Sequence, residues 1–266
     1  MPDNAKSPLS GTAPNSVPLP QTPLTGVLAQ IRFPEVFSVA KKEFVADFQE
    51  LIRGEYPRSQ EEQSVIIKVG VGGADQRTTP NWRFFDAAMQ WRISLTTEFV
   101  SIETRAYKDR KDFADRIGRI LEAVARTIEP SGAVRIGVRF VDRIPSELLS
   151  SLDRYVHPQI LGFSDPAHQS ELERSMHESL FNVEEGKLLA RWGMMPGQQS
   201  HDPEMLPPID DRSWFLDTDV FQEFDEMLAF DAKDLQARSY QLASRAYAFF
   251  RAVTTEELLS VYGGEV

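Results

Sequence analysis

One order of secondary-structure signals runs twice along this chain: a strand, a helix, several further strands, then a long amphipathic helix. Ile31-Arg32-Phe33 in the first pass matches Val138-Arg139-Phe140 in the second. Glu103-Thr104-Arg105-Ala106-Tyr107 matches Asp217-Thr218-Asp219-Val220-Phe221 in character, and Asp109-Arg110-Lys111-Asp112 matches Asp231-Ala232-Lys233-Asp234. Similar lengths of chain separate the matched fragments, as a duplicated unit requires. Each half then has a sheet with one apolar face and helices to cover it. Joining two such sheets edge to edge removes an exposed edge from each. The expected fold class is α+β: a curved antiparallel sheet with two long helices on one face, built from a pseudo-duplicated β-α-β(3–4)-α unit.

The individual elements follow from periodicity. Val27–Phe33 is β-prone and stops at Pro34, which cannot donate to a ladder. Ser38 is placed to cap a helix in which Ala40, Phe44, Phe48 and Ile52 recur every four residues. Ser64–Val71 reads as a strand, and Gly70-Val71-Gly72-Gly73 with residues 74–81 as a flexible hairpin loop. The aromatic stretch from Trp82 to Tyr107 has no helical stripe and divides into strands near 82–88, 90–96 and 99–107. A helix over 109–128 buries Phe113, Ile117, Ile120, Leu121, Val124 and Ile128. Val134–Ile144 is a strand and 145–152 a short helix opened by Pro145. Residues 155–177 read as loop with one helical turn after Pro166. A hairpin over 180–195 turns at Glu185-Gly186, the proline-rich stretch 196–211 reads as an exposed loop, and 214–221 is a strand. The last long helix covers 231–253, with Leu235, Leu242, Ala246, Phe249 and Phe250 on one side. Thr254 and Glu257 fit a capping box for a final turn.

Composition limits the chemistry. Apolar residues are 41% of the chain, enough for a core. No cysteine is present, which excludes disulfides, thiolate metal sites and cysteine nucleophiles. The formal net charge of −11 disfavours nucleic acid and anionic membranes as partners. No run reaches the roughly 20 apolar residues of a membrane helix. Residues 1–25 hold six prolines and no secretory pattern. The expected organisation is therefore a disordered tail over 1–22 and a single α+β domain over 23–266. That domain consists of two joined halves, 23–130 and 131–266, and the expected location is the cytoplasm. Pro18 and Pro20 also fit a docking peptide of polyproline type.

The four histidines, His157, His168, His177 and His201, fall in the least regular stretch, with Asp165, Glu178 and Asp202 nearby. Their spacing matches no zinc pattern, so they read as solvent-facing loop residues and no metal or cofactor is expected. No Gly-x-Ser-x-Gly elbow is present. Asp217 and Asp219 share one strand face, where paired carboxylates could hold Mg²⁺ or divide acid and base roles, or simply face water. The matching Glu103 and Arg105 suit a local ion pair. Trp82, Phe84 and Trp214 fall on strands, either in the core or as an exposed aromatic surface. Residues 204–234 carry ten acids against Arg212 and Lys233, whereas 105–119 carry six bases against three acids. The acidic segment suits a basic partner or a second copy's basic stretch.

The doubled unit resembles the TATA-binding-protein-like and helix-grip architectures. The chain over about 23–255 also resembles a sporadically distributed family of uncharacterised bacterial proteins. Four stretches carry this resemblance. They are Pro23-Leu24 through Gln30–Pro34 to Tyr56-Pro57; Trp82–Phe84 with Ser101–Tyr107; Arg135–Ile144; and Ser213–Asp219. Such proteins tend to have asparagine where this chain has Asp142. The resemblance implies a chain layout and no catalytic residue, and its patchy distribution suits accessory systems of the defence or toxin–antitoxin kind. The expected function is non-catalytic: a protein-interaction or regulatory component bound to a protein partner or to itself. Trp82, Phe84, Trp214, Asp217 and Asp219 are the candidate partner-binding residues. A small-molecule-binding helix-grip protein, with Ile120, Val124, Phe249 and Phe250 lining a cavity, and a metal-dependent hydrolase are the alternatives.

Overall fold

The computed structural model describes residues 9–70 and 73–265. The protein is α+β, with a large antiparallel sheet of nine strands in the order β2-β3-β4-β5-β1-β6-β9-β8-β7. These strands are β1 (Leu24–Arg32), β2 (Arg58–Gly70), β3 (Gly73–Phe85), β4 (Trp91–Leu95), β5 (Phe99–Thr104), β6 (Ala133–Ile144), β7 (His177–Val183), β8 (Gly186–Met195) and β9 (Ser213–Leu228). The helices are α1 (Lys42–Ile52), α2 (Arg110–Thr127), α3 (Leu152–Tyr155), α4 (Pro158–Leu161), α5 (Ala232–Val253) and α6 (Glu256–Val261). No helix among the described residues is long and apolar enough to cross a membrane. The chain forms two compact units. One contains 28–137 and 223–240, the other 1–27, 138–222 and 241–266.

In the unit built on 28–137, aromatic side chains tie the strands to the helices. Phe48 of α1 meets Phe84 of β3 edge-on at 5.5 Å. Trp82 donates its indole N–H to the Val39 carbonyl at 2.8 Å. Trp91 of β4 contacts Phe113 of α2, and the Arg116 guanidinium lies 4.2 Å above the Trp91 ring. The helix α2 is stopped in front by Asp109, whose Oδ1 accepts the Asp112 amide at 2.8 Å and satisfies an end-of-helix donor. Its six expected stripe residues are all buried. Gly118 lets Gln236 of α5 come close, since a Cβ there would lie 2.4 Å from Gln236 Oε1.

Several local expectations change in this unit. Ser38 caps nothing: it lies inside a 3-10 turn (Phe37–Ala40), and α1 starts behind Lys41 without a side-chain cap. Its buried stripe is Val45, Phe48 and Ile52. Residues 73–81 are strand, because β2 and β3 pair without a break from Arg58↔Phe85 to Gly70↔Gly73. A continuous ladder tolerates the polar residues that read as loop. Val71 and Gly72, at the expected turn, lie outside the described residues. Glu103 pairs across the strands with Arg92 at 2.5 Å.

In the other unit, β7, β8 and β9 form an antiparallel meander through Leu180↔Leu189 and Leu189↔Asp219. Phe181 of β7 packs on Phe249 of α5. The final helix is capped by Thr255, which accepts the Leu258 amide, one residue later than expected. Thr254 instead donates its hydroxyl to the Phe250 carbonyl. The segment 9–22, expected as a disordered tail, has no regular secondary structure but is held against α5 and α6 by hydrogen bonds. Residues 1–8 lie outside the described set.

Candidate functional site

The densest polar cluster lies within this second unit, where β6 and β9 present Arg139 and Asp217 to one another. Strand alternation puts Phe215, Asp217 and Asp219 of β9 on the face opposite Trp214, Leu216 and Thr218. The Arg139 fork grips Asp217 through two parallel bonds, Nε to Oδ1 and Nη2 to Oδ2, both 2.7 Å. This bidentate geometry is the strongest arrangement available to the pair. The remaining Nη1 donates to Asp202 Oδ2 at 2.7 Å. Nε2 of His201 lies 3.0 Å from Asp217 Oδ2, with the imidazole stacked on Phe215 at 4.6 Å. Arg191, opposite Asp217 in the β8–β9 register, comes to 3.9 Å while its Nε binds Glu178 at 2.6 Å.

His201 and Asp202 belong to the connection 196–212, which folds for local reasons. The Asp202 carbonyl accepts the Leu206 amide, and its Oδ1 accepts the amides of Glu204 and Met205. Asp followed by Pro203 is a helix-start pattern, and one turn forms here. Ser200 closes the turn by donating to the Leu206 carbonyl at 2.6 Å. Met205 and Leu206 are buried, and Thr25 of β1 donates to the Met205 carbonyl at 2.8 Å. Arg143 of β6 donates to the Pro207 carbonyl. The expected exposed loop is therefore a cover, because its two apolar residues and its turn give it something to bury.

Electrostatics follow from burial. The Asp217 side chain is 1% exposed. Burial alone would raise its carboxyl; hydrogen bonds from His201 and Arg139 and the Arg139 charge outweigh that and hold it below the usual range. Burial works against the Arg139 charge, but the hydrogen bond and charge of Asp217 prevail and raise it. Asp142, also buried on β6, is pushed up to about 8 by burial and then by the charge of Asp217. Burial thus favours its neutral form. Burial, followed by the charge of Asp142, raises the Tyr262 hydroxyl to about 12.

Chemically, the arrangement is a clamp. A histidine base needs one nitrogen oriented by a carboxylate and the other aimed at a reacting proton. Here Nε2 meets Asp217, while Nδ1 is buried with no hydrogen-bond partner among the described residues. Among the described residues, no group of three or more His, Cys, Asp or Glu could hold a metal ion.

The sequence-derived candidates separate. Asp217 is central to the cluster, and Asp219 lies half-buried opposite Leu189. Trp82, Phe84 and Trp214 are buried, so they form no exposed aromatic surface; alternation turns them into the core. The four histidines do not converge: His168 lies on Phe163, His177 stacks on Trp192, and His201 is inside the clamp. Solvent-facing therefore fails for His201. Arg139 and the roles of His201 and Asp202 are missed from sequence, although an arginine inside Val138-Arg-Phe-Val141 is the available signal. Ile120, Val124, Phe249 and Phe250 are buried. An open cleft of about 440 Å³ lies elsewhere, among Arg32, Phe33, Glu98 and Arg135 of the first unit. No family model and no curated protein matches the chain.

Proposed function

We propose that this protein is a non-catalytic interaction component of an accessory bacterial system of the defence or toxin–antitoxin kind, and that it binds a protein partner or a second copy of itself. The observation that carries this reading is the orientation of the clamp. Its histidine, carboxylates and arginine are spent holding residues 196–212 to the sheet. Apolar surface is meanwhile left at the margin of the second unit. Phe163 is 69% exposed and Leu180 59%, and Met176, four residues before Leu180, is exposed as well. Ser164 and Ser175, 3.3 Å apart, bring the neighbours Phe163 and Met176 to the start of β7. The strand β7 ends the sheet, and an edge strand is a template for another chain.

The reading of a duplicated domain has support in the strand order. Outward from the middle it runs β1, β5, β4, β3, β2 on one side and β6, β9, β8, β7 on the other. Equivalent strands thus take equivalent places, as two β-α-β(3–4)-α units of TATA-binding-protein-like or helix-grip type would give. The contact of Phe249 with Phe181 favours docking over a ligand cavity beneath the helix.

Photo-crosslinking residues placed at Phe163 and Leu180 in the full chain test the proposal in the native host. One recurrent crosslinked protein, or a crosslinked dimer, is expected. A bare monomer by light scattering together with no crosslink at either position would remove it.

A further inference from the structure

The segment 9–22 lies in a groove that reads main chain. Within the second unit, the hydroxyl of Tyr247 of α5 meets this segment at two points: the oxygen accepts the Val17 amide at 3.0 Å, and the O–H donates to the Asn15 carbonyl at 3.3 Å. Tyr262 offers its carbonyl to the Gln21 amide at 3.2 Å. Arg245, 2% exposed, is fixed by Glu185 through Nε at 2.7 Å and Nη2 at 2.9 Å. Its Nη2 also donates to the Gly11 carbonyl at 2.8 Å. These three groups make four contacts to backbone atoms, which any extended peptide supplies.

Side-chain selection is coarse and comes from space. Leu9, Gly11, Ala13, Val17 and Leu19 are half-buried, while Pro14, Pro18 and Pro20 are exposed. This alternation is that of an extended chain with one face down. Prolines suit the outward positions because they lack the N–H that a contact would need. The floor is Gly263-Gly264, just after α6. A Cβ on Gly264 would come within 2.9 Å of both Leu19 Cδ2 and Val17 Cγ1, and one on Gly263 within 3.3 Å of Pro20.

We infer that this groove, formed by Arg245, Tyr247, Tyr262 and Gly263-Gly264, is a recognition site for an extended, proline-bearing segment of a partner protein, and that residues 9–22 are its exchangeable internal occupant. The partner segment carries small or branched apolar side chains at alternate positions and prolines between them. The assignment of a partner rests on the interaction reading above. An internal occupant competes through its effective concentration, which for a short connection is on the order of millimolar. A partner peptide therefore binds well only where the resident segment is loosened or outcompeted.

The test uses the full chain and a fluorescent peptide of residues 9–22, followed by anisotropy. In the full-length Val17→Asp/Leu19→Asp variant, the resident segment no longer seats over the glycines. This variant is expected to bind the wild-type peptide about tenfold or more tighter than the wild-type chain does. Adding Gly264→Ala to the variant is expected to abolish the gain by filling the floor. A variant that unfolds like wild type yet shows no gain overturns the inference. If the variant does not fold, hydrogen exchange on the wild-type chain decides: protection of the Val17 and Gln21 amides that excess unlabelled 9–22 peptide lowers by about tenfold or more supports it, and amides that are unprotected, or whose protection the peptide leaves unchanged, overturn it. Peptide binding is read on the isolated chain. Its failure is thus distinct from failure of the crosslinking at Phe163 and Leu180.

Discussion

Asp142 and Asp217 are two carboxyls in one unit with opposite linkage to pH. The folded-state pKa of Asp217 is depressed, so its contribution is complete above the ordinary carboxylate value of about 3.9 and is lost as pH falls below it. That of Asp142 is raised from 3.8 to about 8. Its folded form keeps a proton that the unfolded chain releases above 3.8, so its contribution is full below 3.8 and is lost as pH rises to about 8. Asp142→Asn, a neutral side chain of the same shape, is expected to leave the melting temperature at pH 4 nearly unchanged. At pH 8 it should raise it by roughly 2–4 °C per kcal/mol recovered. Equal shifts at both pH values would contradict the neutral-acid assignment. Asp217→Asn should instead cost about 2–4 kcal/mol in urea unfolding at pH 7, because Arg139 loses a buried, bidentate partner. Arg139→Met with Asp217→Leu should recover part of that loss. Only fragments of this were visible in the sequence. The Asp217 and Asp219 pair could be picked out, but strand alternation alone cannot say which face a loop will cover. Nor could the 62-residue separation of Arg139 and His201 be closed without the fold.

Elements with a complete local signal were legible. The helix α2 combines a capping aspartate, an acidic first turn and an unbroken apolar stripe, and all three are realised. The start of α1 was not, because Ser38 is only one of several polar residues before the stripe and the chain makes a 3-10 turn first. This yields a paired prediction by thermal unfolding. Asp109→Ala should cost about 1 kcal/mol through its lost cap, whereas Ser38→Ala should fall within about 0.5 kcal/mol of wild type. A substantial loss for Ser38→Ala would restore the cap that the structure withholds. The connection 196–212 shows the opposite failure. Its prolines spell loop correctly, yet its packing depends on Met205 and Leu206, whose burial has no periodic signature.

At the scale of the whole molecule, charge and edges decide what remains available to others. The bases of 105–119 are largely used locally: Lys111 with Asp115, Arg116 with Asp112, and Arg119 with Glu55. They are a poor match for the acidic stretch 204–234, whose Glu223, Asp225 and Glu226 are exposed. Edge β2 presents charged and polar side chains at Arg58, Gln60 and Glu61, which discourage pairing, whereas β7 presents Leu180. Leu180→Lys is expected to abolish any crosslink at Phe163 while leaving the urea midpoint unchanged. Retained crosslinking would move the docking surface away from this edge.

The register of β9 has one more consequence. Between Ser213 and Asp217 the strand gives alternate residues to the covered helix side and to the clamp, with Gly193↔Phe215 and Arg191↔Asp217 fixing the count. A single inserted residue there would exchange the two sets, turning Asp217 toward the helices and Leu216 toward Arg139. A gene could thus change the spelling of this stretch more safely than its length: one extra codon, in frame and chemically mild, would undo the clamp as thoroughly as deleting its arginine.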